Sequence, residues 1–284
     1  MAQETWIVTD PTVIDLEIVR RLKVGLIGGQ IDIVGHDEPG ARVEVHSVSG
    51  RDLKVALEGD TLVIDHPQLK WETFFENFRL FGVKARAEVS ILVPRTATLS
   101  FNAVSAEGLI SGLHSEVTVN TVNGDVVLDG VVGDVSVHAV NGEVSVRGLH
   151  GDLTVQTVSG DVTASGEIRR FTCDGVSAHV VADLHGGPDR VRNSTVSGDL
   201  TVRLDAGRPA QYSISTLSGR LQLDDAQISG VKGQYTGRYG ELAGSFTEVR
   251  AHSVSGDVSV VHTVRAASGD AAADGEPAAS EAAS

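Results

Sequence analysis

The sequence predicts an all-β chain wound as a parallel β-solenoid, with two short strands and about 18 residues in each coil. Three observations predict it. Residues 103–165 divide without a break into seven nine-residue units: AVSAEGLIS, GLHSEVTVN, TVNGDVVLD, GVVGDVSVH, AVNGEVSVR, GLHGDLTVQ and TVSGDVTAS. Within a unit, Val, Leu or Ile recurs at alternate positions, the period of a half-buried strand. The composition agrees, with 32 Gly, only 4% aromatic residues and 41% hydrophobic residues. Such a core is built from small branched side chains, which favour strands.

Residues 1–100 read as irregular early coils or a flanking β sheet that caps the solenoid. Strands are expected at 12–19, 30–34, 42–46, 52–57, 61–65 and 87–93, separated by turn signals at 37–40 and 58–60. A cap is required because a bare terminal coil offers unpaired backbone to another chain.

One segment breaks the pattern. Residues 70–82 (KWETFFENFRLFG) hold Trp71, Phe74, Phe75, Phe78 and Phe81, five of the twelve aromatics. Their spacing suits a short amphipathic helix. It reads as a cover for a solenoid end or as a docking surface for a protein partner. Glu72 and Glu76 offset Lys70 and Arg79, unlike the cationic face of most membrane-surface helices.

In residues 101–264 the repeat defines the solenoid proper. Alternate units resemble each other most, AVSA, TVNG, AVNG and TVSG against GLHS, GVVG and GLHG, so two units make one coil. The series continues as GVSA (175–178), TVSG (195–198), TLSG (216–219) and SVSG (253–256), with an early SVSG at 47–50. Gly before an acid marks each turn. Residues 230–246, rich in Gly and holding Tyr235, Arg238 and Tyr239, read as a loose loop that interrupts the late repeats. Residues 265–284 are Ala, Ser, Gly and acids, a composition that buries no core and predicts a disordered tail.

The fifth position of all seven units is acidic. Stacking predicts one column of Glu107, Asp125, Glu143 and Asp161, and another of Glu116, Asp134 and Asp152. Neighbouring charges at about 4.8 Å in water repel by roughly 0.9 kcal/mol. Calcium would relieve this, but the known calcium roll repeats GGxGxDxUx, and here a single Gly directly precedes the acid in five of the seven units. The columns therefore read as solvated acidic turns whose carboxylates are met by turn N–H groups, and no metal or cofactor is expected.

Catalysis finds no support, so no enzyme activity is expected. His114 and His150 share a repeat position but stand two coils apart, with Val132 between them. Cys173 reads as a packed thiol, and Asp224–Asp225 as an acidic pair at a strand end. The single Cys excludes an internal disulfide. The formal charge of −15, from 23 Lys plus Arg and 38 Asp plus Glu, argues against sequence-independent nucleic-acid binding. Residues 1–10 (MAQETWIVTD) show neither a basic nor an apolar leader region, and no stretch approaches a membrane span. The expected localisation is cytoplasmic.

The segments TVNGDV (121–126), TVSGDV (157–162), TVSGDL (195–200) and SVSGDV (253–258), after a strand ending in Val93–Pro94, resemble a bacterial β-strand-repeat family of unknown function labelled putative-adhesin. The resemblance covers about residues 10–264. It implies a right-handed β-solenoid with no established enzymatic activity and supplies no catalytic residues. The expected role is a non-catalytic scaffold that binds a protein partner, with peripheral envelope association and Trp71, Phe74, Phe75, Phe78 and Phe81 as its candidate contacts. The alternative is a surface adhesin or glycan-binding protein, with a calcium-binding repeat protein behind it.

Overall fold

The computed structural model describes residues 3–66, 85–228, 233–242 and 244–263. Those residues form twenty strands and no helix. The N-terminal strands are β1 (Gln3–Val8), β2 (Thr12–Leu16), β3 (Arg21–His36), β4 (Ala41–Ser49), β5 (Leu53–Glu58), β6 (Thr61–Asp65) and β7 (Arg86–Pro94). The regular repeat supplies β8 (Thr98–Ser111), β9 (Val117–Asn123), β10 (Val126–Asp129), β11 (Val135–Asn141) and β12 (Val144–Leu184), the last running through several corners. Then come β13 (Arg190–Ser197), β14 (Leu200–Asp205), β15 (Ala210–Ser218), β16 (Leu221–Leu223), β17 (Ala226–Ile228), β18 (Gly233–Tyr239), β19 (Thr247–Ser255) and β20 (Val258–Thr263).

The predicted β-solenoid is the observed fold, and its period is the predicted one. Val117, Val135 and Leu153 are register partners in one sheet, and Gly108, Val126 and Val144 in the other, each step advancing 18 residues. All these pairings are parallel. Alternation does the rest: Val117, Val119, Val135 and Val137 point inward from one sheet, and Val126, Leu128, Val144 and Val146 from the other, all buried. Each such side chain contributes about 1.5–3 kcal/mol of burial. A coil is stable only because its neighbours complete that column.

Both ends depart from simple stacking. At the N-terminal end β3 lies parallel between β8 on one side and β6 and β7 on the other. Beyond these the sheets turn antiparallel: β5 pairs with β6, β4 with β7, then β1 with β5 and β2 with β4. Early coils and a closing sheet are therefore both present. The first half of β3 and all of β1 were not legible as strands, because Gly25, Gly28 and Gly29 break the alternation in β3.

At the C-terminal end the order in the sequence is not the order in the stack. β19 pairs in parallel with both β13 and β15, and β20 with both β14 and β16. The last coil of the chain is thus threaded between two earlier ones. β15 and β16 become the outer coil, closed by antiparallel pairing of β18 with β15 and of β17 with β16. Residues 233–239 are accordingly an edge strand where the sequence suggested a loose loop. Tyr235 and Tyr239 pack against the core from it, and the intervening glycine hides that alternation in the sequence.

Candidate functional site: an exposed aliphatic corner

Each coil turns from the first sheet to the second at its Thr-Val-Ser-Gly-Asp segment. The first residue of this segment faces inward: Thr121, Thr157, Thr195 and Thr216 are buried. The next residue must therefore face outward. Register pairs Gly175 with Thr195, Thr195 with Ser253 and Ser253 with Thr216. The outward residues that follow, Val158, Val176, Val196, Val254 and Leu217, thus form a continuous aliphatic ladder along one edge. Their exposures are 48%, 48%, 51%, 48% and 71%. The equivalent Val104 and Val122, nearer the N-terminal end, are only 5% and 4% exposed.

A glycine column fixes the corner. An added Cβ would lie 2.5 Å from the Gly124 carbonyl oxygen at Gly142, and 2.2 Å from that of Gly142 at Gly160. No side chain fits between carbonyls so closely stacked. The acid that follows has its own structural duty. Asp125 Oδ1 accepts the Glu143 N–H at 2.8 Å, Asp134 Oδ1 the Asp152 N–H at 3.3 Å, and Asp199 Oδ1 the Asp257 N–H at 2.8 Å. The two predicted columns exist, and in each a backbone donor from the next coil meets one carboxylate, that of Asp125 in the first and that of Asp134 in the second.

Among the described residues no three His, Cys, Asp or Glu converge as a metal centre requires. Calcium is expected to shift the melting temperature by less than about 1 °C, because Asp125, Asp134 and Asp199 already accept backbone N–H groups and Arg169 and Arg170 occupy the Asp152 carboxylate. A saturable rise of several degrees on calcium addition, reversed by chelator, would contradict that.

Asp152 is the most heavily paired acid of the columns. Arg169 donates through Nε to Oδ1 at 3.1 Å and through Nη2 to Oδ2 at 3.2 Å, and Arg170 donates to Oδ2 through both Nε and Nη2. Burial pushes the Asp152 carboxyl up, but the two guanidinium groups outweigh it and hold it below the usual carboxylate range. A depressed carboxyl stabilises the fold above the unfolded value of about 3.9 and loses that contribution as pH falls through the folded value. Asp152→Asn is therefore expected to melt a few degrees below wild type at neutral pH, with the gap closing below about pH 4. A gap constant down to pH 2 would refute the assignment.

The other predicted groups are placed as follows. His114 and His150 stand two coils apart, with Val132 bridging to His150. Cys173 is buried, and burial, assisted by the Asp174 charge, pushes its thiol up to about 12. Asp224 and Asp225 form the tight turn between β16 and β17, Asp224 with a φ of 49°. Asp224 Oδ1 accepts the His262 N–H at 2.6 Å, and its Oδ2 lies 3.1 Å from His262 Nδ1. The His262 ring stacks on Tyr239 with centroids 3.6 Å apart. This clasp ties the threaded β20 to the outer coil. Sequence reasoning missed it, since its members come from three separated segments.

Trp71, Phe74, Phe75, Phe78 and Phe81 lie outside the described residues. The flanks of that insertion are placed. Asp65 and Ala87 are register partners of Gly25 and Gly29, which pair in turn with Asn102 and Ala106. The insertion therefore opens at the corner that carries Val104.

A family model described as Toastrack DUF4097 matches residues 29–261. No curated protein matches the chain. Among solved structures, a "putative cell adhesion protein" from Clostridium sporogenes is 13% identical, with 92% of this chain and 99% of that one covered and a TM-score of 0.25. A "putative lipid binding protein" from Parabacteroides distasonis is 12% identical, with 90% and 96% covered and a TM-score of 0.41. A "putative adhesin" from Bacteroides fragilis is 12% identical, with 89% and 98% covered and a TM-score of 0.33. Superpositions this loose carry no argument about function.

Proposed function

The chain belongs to the Toastrack DUF4097 family, a family of unknown function, and on that premise we propose that it is a non-catalytic scaffold that binds a protein partner along its aliphatic corner. The observation that carries this reading is the exposed ladder from Val158 to Leu217. Five aliphatic side chains in line stand out to solvent at the glycine-bounded corner, whereas the equivalent Val104 and Val122 are covered. Single exposed apolar residues need no explanation, but a continuous row of them marks an interaction site. The rigid stack keeps the row straight, so a partner meets a preformed surface with little ordering cost.

Affinity capture from native cells with the tagged full chain tests the reading. The double substitution Val196→Asp with Leu217→Asp places charge in the row at solvent-facing positions. It is expected to abolish capture of the partner while moving the melting temperature by no more than a few degrees. Unchanged capture by a folded double variant would overturn the proposal.

A further inference from the structure

We propose that the partner segment is an amphipathic α-helix with Lys or Arg along its flanks, laid lengthwise on Val158, Val176, Val196, Val254 and Leu217. The inference rests on the scaffold reading above and names the chemistry of its partner. Rungs of a parallel stack are about 4.8 Å apart, and an α-helix advances about 5.4 Å per turn. An apolar residue contributed once per turn at i, i+3, i+4 and i+7 therefore stays nearly in step over four gaps. An extended strand repeats its face every 6.6–6.8 Å or so and falls out of step within two rungs. The row of five spans about 19 Å, the length of roughly thirteen helical residues.

The charges beside the row select the helix flanks. Glu143, Asp161 and Asp199 are exposed in the column that follows the ladder, and Asp174 is half-buried in the column that precedes it. Between Val140 and Val254 neither of these two columns holds a Lys or Arg. Asp257 differs, since Arg220 pairs with it at 2.8 Å. Asp199 is held in place by the Asp257 N–H that it accepts, with His179 Nδ1 3.7 Å from its Oδ2, and Glu143 and Asp161 keep their charge exposed beside the row. A second copy of this chain is the wrong occupant. Each copy carries a net charge of −15, and one row of five side chains falls well short of the roughly 800 Å² per partner of a stable interface.

The probe is a fluorescein-labelled peptide of about fourteen residues, with Leu once per turn and Lys on both flanks. It is titrated with the full chain and followed by fluorescence anisotropy. Two controls carry Glu in place of Lys, or the same composition scrambled so that no face is apolar. Micromolar binding of the lysine peptide is expected, with both controls at least about tenfold weaker. Val176→Asp with Val196→Asp is expected to weaken it at least about tenfold, and the milder Val196→Ser measurably. Absence of binding, equal binding of the scrambled peptide, or indifference to both substitutions would overturn the inference, as would binding to phosphatidylcholine vesicles and not to the peptide. If the corner substitutions abolish native partner capture while the lysine peptide fails to bind, the helix inference falls and the scaffold reading stands. If capture too is unaffected, both fall.

Discussion

Gly160→Ala is expected to destabilise the fold by about 3 kcal/mol or more, although it adds a single methyl group. Gly160 has a φ of +122°, a region that side chains with a Cβ rarely adopt, and the added Cβ would sit 2.2 Å from the Gly142 carbonyl oxygen. That oxygen belongs to backbone held by the coil below, so nothing yields cheaply. Relief would require the two coils to part locally, opening the Val column on either side. Gly130→Ala is the matched control. Its φ is +61°, and nothing lies within 4 Å of the added Cβ, so only the left-handed backbone penalty of about 1–2 kcal/mol applies. Urea unfolding of the two variants separates close packing from backbone conformation. Equal losses would mean that the glycine column is a matter of dihedral preference alone. Two coils place Ala106 and Ala178 at this position, and neither has a positive φ, so the corner takes a different local conformation where a methyl group is present.

Ending the chain before Thr247 is expected to unravel the C-terminal end of the solenoid rather than trim it. The deletion removes β19 and β20, and with them Val249, Ala251, Val258 and Val260, all buried. Burial of the three valines alone contributes about 5–9 kcal/mol, comparable with the net stability of a domain. The loss falls in the middle of the stack. β15 and β16 would lose their only parallel neighbours among the described strands, and β18 would go with them. A solenoid stacked in sequence order would lose only its outermost coil and melt a little earlier. The threaded one is expected to lose more than about 10 °C and to let the backbone at Arg208 and at the already exposed Arg220 open to trypsin cleavage. A small shift with both sites still protected would contradict the threaded order.

These two results mark where the sequence was informative. The unit, its period of two strands per coil, the inward valines, the glycine turns and the two acid columns were all legible, because each follows from local spacing that repeats. The threading was not. TVSG, TLSG and SVSG are interchangeable as stacking surfaces, so a repeat states what a coil is and leaves open which coil it lies against. The clasp of Asp224, His262 and Tyr239 was hidden for the same reason, being created by the threading. β18 was obscured by glycines within a short alternating strand.

The candidate site was half legible. The second position of every unit is Val or Leu; in the GLHS, GVVG and GLHG units it is core, with Leu113, Val131 and Leu149 buried, and in the late TVSG-type units it faces outward. The signal that it faces outward lay beside it. Adjacent strand residues point to opposite faces, so a buried Thr157 or Thr195 turns Val158 or Val196 away from the core, although Val122 beside the buried Thr121 is itself covered. The acid columns are the more conspicuous feature because they carry charge, yet Asp125 and Asp134 serve the backbone of the next coil and Asp152 serves two arginines. The aromatic insertion falls outside the described residues, and what the fold adds is its point of departure, on the edge that carries the ladder.

The claim that this edge is the working surface is tested most directly by site-specific photocrosslinking in native cells. A benzophenone amino acid replaces Val196 on the corner in one strain and Thr154 on the outer sheet face in another. Crosslinks from position 196 to one protein, with none from position 154, are predicted, and the crosslinked peptide of that partner should read as a basic amphipathic helix. Equal crosslinking from both positions, or crosslinks from position 154 alone, would contradict the account.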